Sequence, residues 1–263
     1  MSEVLNTFRG QKSEYSDFRF VLPGSGEELF LRPFTTKEQK TILKAMERED
    51  LELLNQCFDQ LIDSCVVKPE GFDSNTLLSK DREALLIELR KESVSNTFDF
   101  PWKCDDEDCK KQNELNKMNI DDLDFSKLEN VIEQEDLPLS DRSNTVLTLG
   151  PANRGDEKQI LKYAKSNSNG LKKGEISRVE LMNATMASCI KKMVIGENVY
   201  DSKLKFVDKI GIIEDMSMKD KEKIKDYISN IEKYGYDLEV DAVCSECGKK
   251  QEVVIDWTSF FIT

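Results

Sequence analysis

The sequence predicts an α+β protein. It would consist of two similar helical lobes, a tandem repeat, each with a small antiparallel β-hairpin, joined at a split zinc-ribbon-like site of four cysteines. Three observations predict this. Segments recur in the same order in the two halves, apolar residues alternate between helical and strand spacing within each half, and each half ends in a cysteine pair followed by Lys-Lys-Gln.

The recurrence can be followed segment by segment. "KEQKTILKA" (37–45) answers to "GDEKQILKY" (155–163), and "LLNQCFDQLIDSCVV" (53–67) to "LMNATMASCIKKMVI" (181–195). "SKDREALLIELR" (79–90) answers to "MKDKEKIKDYIS" (218–229), and Lys110-Lys111-Gln112 to Lys249-Lys250-Gln251. Helical stretches rich in Leu and Lys resemble one another by chance, so the shared order carries the argument. It divides the chain into an N-terminal tail (1–16), a first unit (17–125), a polar linker (126–143) and a second unit (144–263).

Each element has a local reason. In "FRFVLPGSGEELFLRPF" (18–34), two apolar-bearing runs flank Pro-Gly-Ser-Gly, which predicts a hairpin. Thr35 and Glu38 then form the capping-box pattern of a helix start. Leu54, Phe58, Leu61, Ile62 and Cys65 fall on one helical face, and a further helix carries Leu85, Leu86 and Leu89. Phe98, Phe100 and Trp102 alternate with Asp99, Pro101 and Lys103, the period of a half-buried strand, which delivers the chain to Cys104. In the second unit "YDLEVDAV" (236–243) leads into Cys244 and "QEVVIDW" (251–257) leads away, placing Cys244 and Cys247 in a hairpin turn.

Composition narrows the function. The 263 residues carry 51 acids against 38 bases, a formal net charge of −13, which opposes tight binding to a phosphate backbone. No run of about 18 apolar residues suggests a membrane span, and the first residues lack the apolar stretch of a signal peptide, so a reducing cytosol is expected. There is no histidine, which excludes Ser-His and Cys-His catalysis. No carboxylate pair has a spacing that demands acid-base work, and the chain reads as non-enzymatic.

The seven cysteines fall into two groups. Cys57, Cys65 and Cys189 lie in apolar helical surroundings and read as small buried hydrophobes. Cys104 and Cys109 (C-x4-C) and Cys244 and Cys247 (C-x2-C, followed by Gly248) sit at strand-turn-strand junctions. One pair cannot complete a structural zinc site, but one pair from each unit can, giving one zinc per chain that clasps the units together. Four thiolates leave no open position, so such a zinc would be structural. Two unlinked reduced pairs, or a disulfide, are the alternatives. Asp105, Asp106, Glu107 and Asp108, between the first two cysteines, read as a solvated loop tip or as an acidic contact for a basic partner. Trp257, Phe260 and Phe261 read as packing for the second unit or as a contact for partner proteins.

Taken together, the F-x-F-V-L-P hairpin from Phe18, the stretch "NTFDFPWKCDDEDC" and the closing "YGYDLEVDAVCSECGKKQEVVIDWTSFF" resemble the baseplate proteins of T-even-like tailed bacteriophages. That family contains hub components and hub-assembly proteins, and the resemblance covers most of the chain. The C-x4-C pair departs from its tighter C-x2-C pattern. The resemblance implies a structural or assembly protein of a baseplate hub. It would bind other tail proteins, with neither nucleic acid nor membrane as partner, and reside in the host cytoplasm during assembly or in the virion tail. It transfers no catalytic residues. The competing reading, a zinc-ribbon module in phage transcription or replication, requires a basic face that the sequence does not offer.

Overall fold

The first strands are those the Pro-Gly-Ser-Gly turn predicts. β1 (Phe18–Val21) and β2 (Glu28–Leu31) pair antiparallel, Phe18 opposite Leu31, in a computed structural model that describes residues 17–48, 50–128, 134–168, 175–201, 203–231 and 233–261. The expected tail (1–16), part of the expected linker (129–133) and residues 262 and 263 lie outside the described residues. The hairpin turn is held from outside: the buried Asp81 carboxylate accepts the backbone N–H groups of Gly24 at 2.6 Å and Ser25 at 3.0 Å.

α1 (Thr36–Met46) begins with the predicted capping box, Thr35 with Glu38. α2 (Leu51–Cys65), capped by Asp50, buries Leu54, Phe58, Leu61, Ile62 and Cys65, the face its spacing predicts. β3 (Val66–Lys68) returns to β2, so the first sheet has the order β1-β2-β3. α3 (Ser79–Ser93) buries Leu85, Leu86, Ile87 and Leu89. β4 (Thr97–Lys103) and β5 (Gln112–Asn119) form the first cysteine hairpin, and β6 (Phe125–Ser126) ends the half.

The stretch 126–143, expected as a linker, contains β7 (Glu135–Pro138), which pairs with β8 (Thr145–Leu149), Leu137 opposite Leu147. Its Asp, Glu and Ser residues disguise the strand, but Leu137 and Leu139 share one parity and both enter a core. α4 (Arg154–Asn167) and α5 (Arg178–Cys189) follow, then β9 (Ile190–Ile195) and β10 (Asn198–Tyr200), giving a sheet of order β10-β9-β8-β7. α6 (Phe206–Asp215) and α7 (Met218–Ile231) complete this region. β11 (Gly235–Tyr236) pairs with β6, and β12 (Glu239–Val243) and β13 (Lys250–Val254) form the second cysteine hairpin before a 3-10 turn, Trp257–Phe261. The architecture is thus α+β, seven α-helices with small antiparallel sheets among the described residues. None of those helices is long and apolar enough to cross a membrane.

Two hydrophobic cores result, and they divide the chain unevenly. The second is built from residues between Leu137 and Tyr227. The first takes residues from Phe20 to Leu123 and then Tyr236, Ala242, Cys244, Val253, Ile255, Phe260 and Phe261. The C-terminal segment therefore packs away from the unit to which its sequence position assigns it. Phe260 meets Phe98 edge-on at 4.3 Å between centroids, and Phe261 lies 5.0 Å from Phe58. The buried Arg90 guanidinium donates to the Phe260 carbonyl at 2.8 Å and fixes the turn.

A buried ionic cluster ties the cores together. Asp59 on α2 accepts from Arg82 of α3 at 2.9 Å and from Arg154, at the start of α4, at 3.0 Å. Lys158 reaches the same carboxylate at 3.0 Å from its exposed side. Three cations around one buried carboxylate offset its desolvation, and its pKa lies below the ordinary value although burial alone would raise it. Ser79 of α3 donates to Glu157 of α4 beside this cluster.

Candidate metal centre

Strand parity brings the first cysteine of each pair inward. Phe98, Phe100 and Trp102 face the first core, and Cys104 continues that face just past β4; Ala242 on β12 and Cys244 just past it do the same. Both thiols are buried, whereas Cys109 is half-buried and Cys247, on its turn, is exposed.

The two turns are built alike from unlike residues. In each, the first cysteine's N–H donates across the hairpin at 2.9 Å, from Cys104 to the Lys111 carbonyl and from Cys244 to that of Lys249. In the second turn the Gly248 N–H donates to the Cys244 carbonyl at 3.0 Å, with Gly248 at φ +73°. In the first the Lys110 N–H donates to the Asp106 carbonyl at 3.0 Å, with Lys110 at φ +48°. Asp106 therefore occupies the turn position that Cys244 holds in the other hairpin, which accounts for the two extra residues of C-x4-C. Its carboxylate accepts the N–H groups of Asp108 and Cys109, both at 3.1 Å. Of the four acids, Asp106 is half-buried and structural, and Asp105, Glu107 and Asp108 are exposed.

Each hairpin also holds the other with one side-chain amide. The Gln251 carbonyl oxygen accepts the Asp105 N–H at 2.9 Å, and the Asn113 oxygen accepts the Ser245 N–H at 3.0 Å. Both acceptors therefore bind the residue directly after a first cysteine. The Asn113 amide also donates to the Cys244 sulfur at 3.5 Å, and Lys249 pairs with Asp105 at 2.9 Å.

The four sulfurs converge. Cys104 Sγ lies 3.7 Å from Cys247 Sγ, and Cys109 Sγ lies 3.7 Å from Cys244 Sγ, across 143 and 135 positions of chain. All four ligand atoms are within 4.8 Å of one another. A tetrahedral ion with Zn–S bonds of about 2.3 Å sets its sulfurs about 3.8 Å apart, whereas a disulfide requires about 2.05 Å. The spacing fits four cysteines around one metal ion.

The thiols are electrostatically unequal. The Cys247 backbone N–H draws the Cys244 thiol down to about 6 against the effect of burial, helped by the Glu246 N–H and the Asn113 amide. At Cys104 the Asp106 N–H favours the thiolate, but burial and the neighbouring thiols outweigh it and push the group up to about 12. The Cys244 sulfur is thus the readier of these two to ligate, and a metal that bound here would displace the Cys104 proton.

The other cysteines stand apart. Cys57, Cys65 and Cys189 are buried among apolar side chains, and burial pushes the Cys65 thiol up to about 11. Phe260 and Phe261 are 0% and 1% exposed, so as they stand they are packing residues of the first core and offer no surface to a partner. The side chain of Trp257 lies outside the described residues. Reasoning from the sequence missed Asn113, Gln251 and the turn role of Asp106. The shared Lys-Lys-Gln was the available signal, but the bracing amides are out of step with it, since Gln251 ends one copy and Asn113 follows the other.

Fold and cluster together define a class: an α+β protein with a cysteine cluster able to hold a metal ion. The chain belongs to the T4 bacteriophage base plate protein family, which matches residues 15–262, nearly all of it. The resemblance read from its hairpins is thereby borne out. Neither the curated proteins nor the solved structures contain a match to it.

Proposed function

We propose that this chain is a non-catalytic structural or assembly protein of a tailed-phage baseplate hub. One structural zinc on Cys104, Cys109, Cys244 and Cys247 holds its shape, and it binds other tail proteins. The observation that carries the zinc reading is the 3.7 Å approach of sulfurs from hairpins 135 and 143 positions apart. An all-thiolate set favours zinc over hard cations, and its closed sphere leaves no site for substrate. Family membership supports the baseplate assignment.

The two halves read as a duplicated unit. Hairpin, two helices, returning strand and cysteine hairpin follow one another on both sides of the chain, with one later helix before the cysteine hairpin in the first half and a further strand and two helices in the second. In this reading the units have the bounds 17–125 and 144–263, and β7, in the joining stretch, pairs with the first strand of the second. The second cysteine hairpin has left its own unit to close the first core, and the zinc holds it there.

Metal analysis of purified protein tests the centre: one zinc per chain is expected, and Cys244→Ser should abolish it. A value of two, or none, overturns the shared site. Pull-down from infected cells, compared with the protein content of purified particles, tests the hub role. Co-purification with tail proteins is expected, and presence in or absence from particles separates a virion component from an assembly factor.

A further inference from the structure

The base of the second cysteine hairpin carries a groove that none of the foregoing explains. It has a volume of about 840 Å³ and is bordered by β6, β11, the start of β12 and the end of β13. Five carboxylates line it, Glu83, Asp124, Asp237, Glu239 and Asp256, against two amines, Lys80 and Lys233. Lys80 is already committed to Glu83 at 3.1 Å. Among the described residues, the carboxylates of Asp124, Asp237, Glu239 and Asp256 have no ion-pair partner, and all four residues are exposed.

The floor is apolar. Phe125 and Tyr236 lie 4.7 Å apart between centroids, and Phe125 is 36% exposed. Val254, at 66% exposed, extends this surface up the hairpin. The Phe125 ring already attracts a cation, with Lys127 Nζ 5.8 Å from its centroid. An aromatic and aliphatic floor beneath unpaired carboxylates is complementary to one kind of side chain, a long aliphatic stem ending in positive charge.

We infer that this groove docks a lysine- or arginine-rich segment of a partner tail protein, stems on the exposed Phe125 and Val254, with the buried Tyr236 backing Phe125, and charges on the four unpaired carboxylates. The inference rests on the reading that the chain binds other tail proteins, and it adds where and by what chemistry. It assigns recognition to the hairpin base, away from the acidic turn between Cys104 and Cys109.

The test uses the purified full-length chain and a synthetic peptide of alternating lysine and leucine, with a glutamate-for-lysine peptide as control. A variant carrying D124N, D237N, E239Q and D256N is compared with one neutralising four exposed acids elsewhere, E47Q, E70Q, D141N and E197Q. The lysine peptide should bind the native chain and the second variant alike, and the first variant at least tenfold more weakly. Affinity should fall as salt rises, and the NMR signals of Phe125 and Tyr236 should move. Equal weakening in both variants, or shifts centred on the 105–108 turn, overturns the inference. So does a change in self-association of the first variant without loss of peptide binding, because the groove would then be a contact between copies. Incorporation of the native chain into baseplates is measured separately. Its failure would remove the hub reading while leaving the peptide result to stand by its own outcome.

Discussion

The two hydrophobic cores differ in how the chain supplies them. The second is made from one continuous stretch, contains the single cysteine Cys189 and is closed by helices. The first borrows its last wall from a segment that arrives more than a hundred residues later, and that wall joins the rest at the cysteine cluster. A contiguous core can be held by packing alone. A core assembled from distant segments has to offset a longer loop closure, and a metal clip is an efficient way to do so. The cysteine cluster lies where the late segment meets the rest of the first core.

The comparison breaks most decisively at the sulfurs. Chelation, or Cys244→Ser, should remove apparent stability on the order of 10 kcal/mol, the range of structural zinc sites. The loss should fall on the first core, where Trp102 reports by fluorescence, while hydrogen exchange at Leu147 and Ile224 keeps the second core protected. Simultaneous loss at both would show one cooperative unit instead.

The tie between the cores comes next. Asp59→Ala leaves the buried Arg82 and Arg154 facing each other without their shared carboxylate. A cost of about 3–5 kcal/mol is expected. Denaturation followed at both cores should separate into two transitions, since the variant weakens the join more than either interior.

A smaller effect is confined to the second core. Asp220, fully buried at the start of α7, accepts from the Ser140 N–H and hydroxyl, each at 2.8 Å, and from Lys223 at 3.1 Å. Burial alone would raise its pKa, but these donors outweigh burial and hold it at about 2. Because the folded value lies below the ordinary value of about 3.9, the stabilisation is complete above that pH and is lost as pH falls towards about 2. Asp220→Asn should cost about 2 kcal/mol at neutral pH. The gap from the native protein should close below about pH 2, with the first core's transition unmoved at neutral pH.

The smallest change is a gain. Lys110 takes the left-handed conformation that Gly248 takes in the matching turn. Lys110→Gly should stabilise the first core by about 0.5–1 kcal/mol with metal content unaltered, measured as a rise in the midpoint of Trp102 fluorescence.

These regions also differ in how well the sequence announced them. The capping box at Thr35, the inward alternation of Phe98, Phe100 and Trp102 and the cysteine pairs were legible because each depends on neighbours a few residues away. β7 was not, because only Leu137 and Leu139 mark it among charged residues. The Asp59 cluster was invisible because its members come from three helices, and charged residues on helices ordinarily face water. The return of Phe260 and Phe261 to the first core was equally hidden. Their apolarity shows that they pack, and nothing local says against which partner. At the metal centre the ligands were readable as residue types at hairpin turns, whereas the bracing by Asn113 and Gln251 depends on how two hairpins face each other.

The late arrival of the first core's last wall also sets an order of events on the ribosome. The second core takes its buried residues from between Leu137 and Tyr227, whereas the earlier-made β1–β5 region lacks part of its aromatic interior until residues 236–261 have been made. Until then Phe34, Phe58 and Phe98 lack their C-terminal neighbours. A nascent chain interrupted in that interval would present them to chaperones or proteases, so synthesis of residues 236–261 becomes a checkpoint for the segment that was translated first.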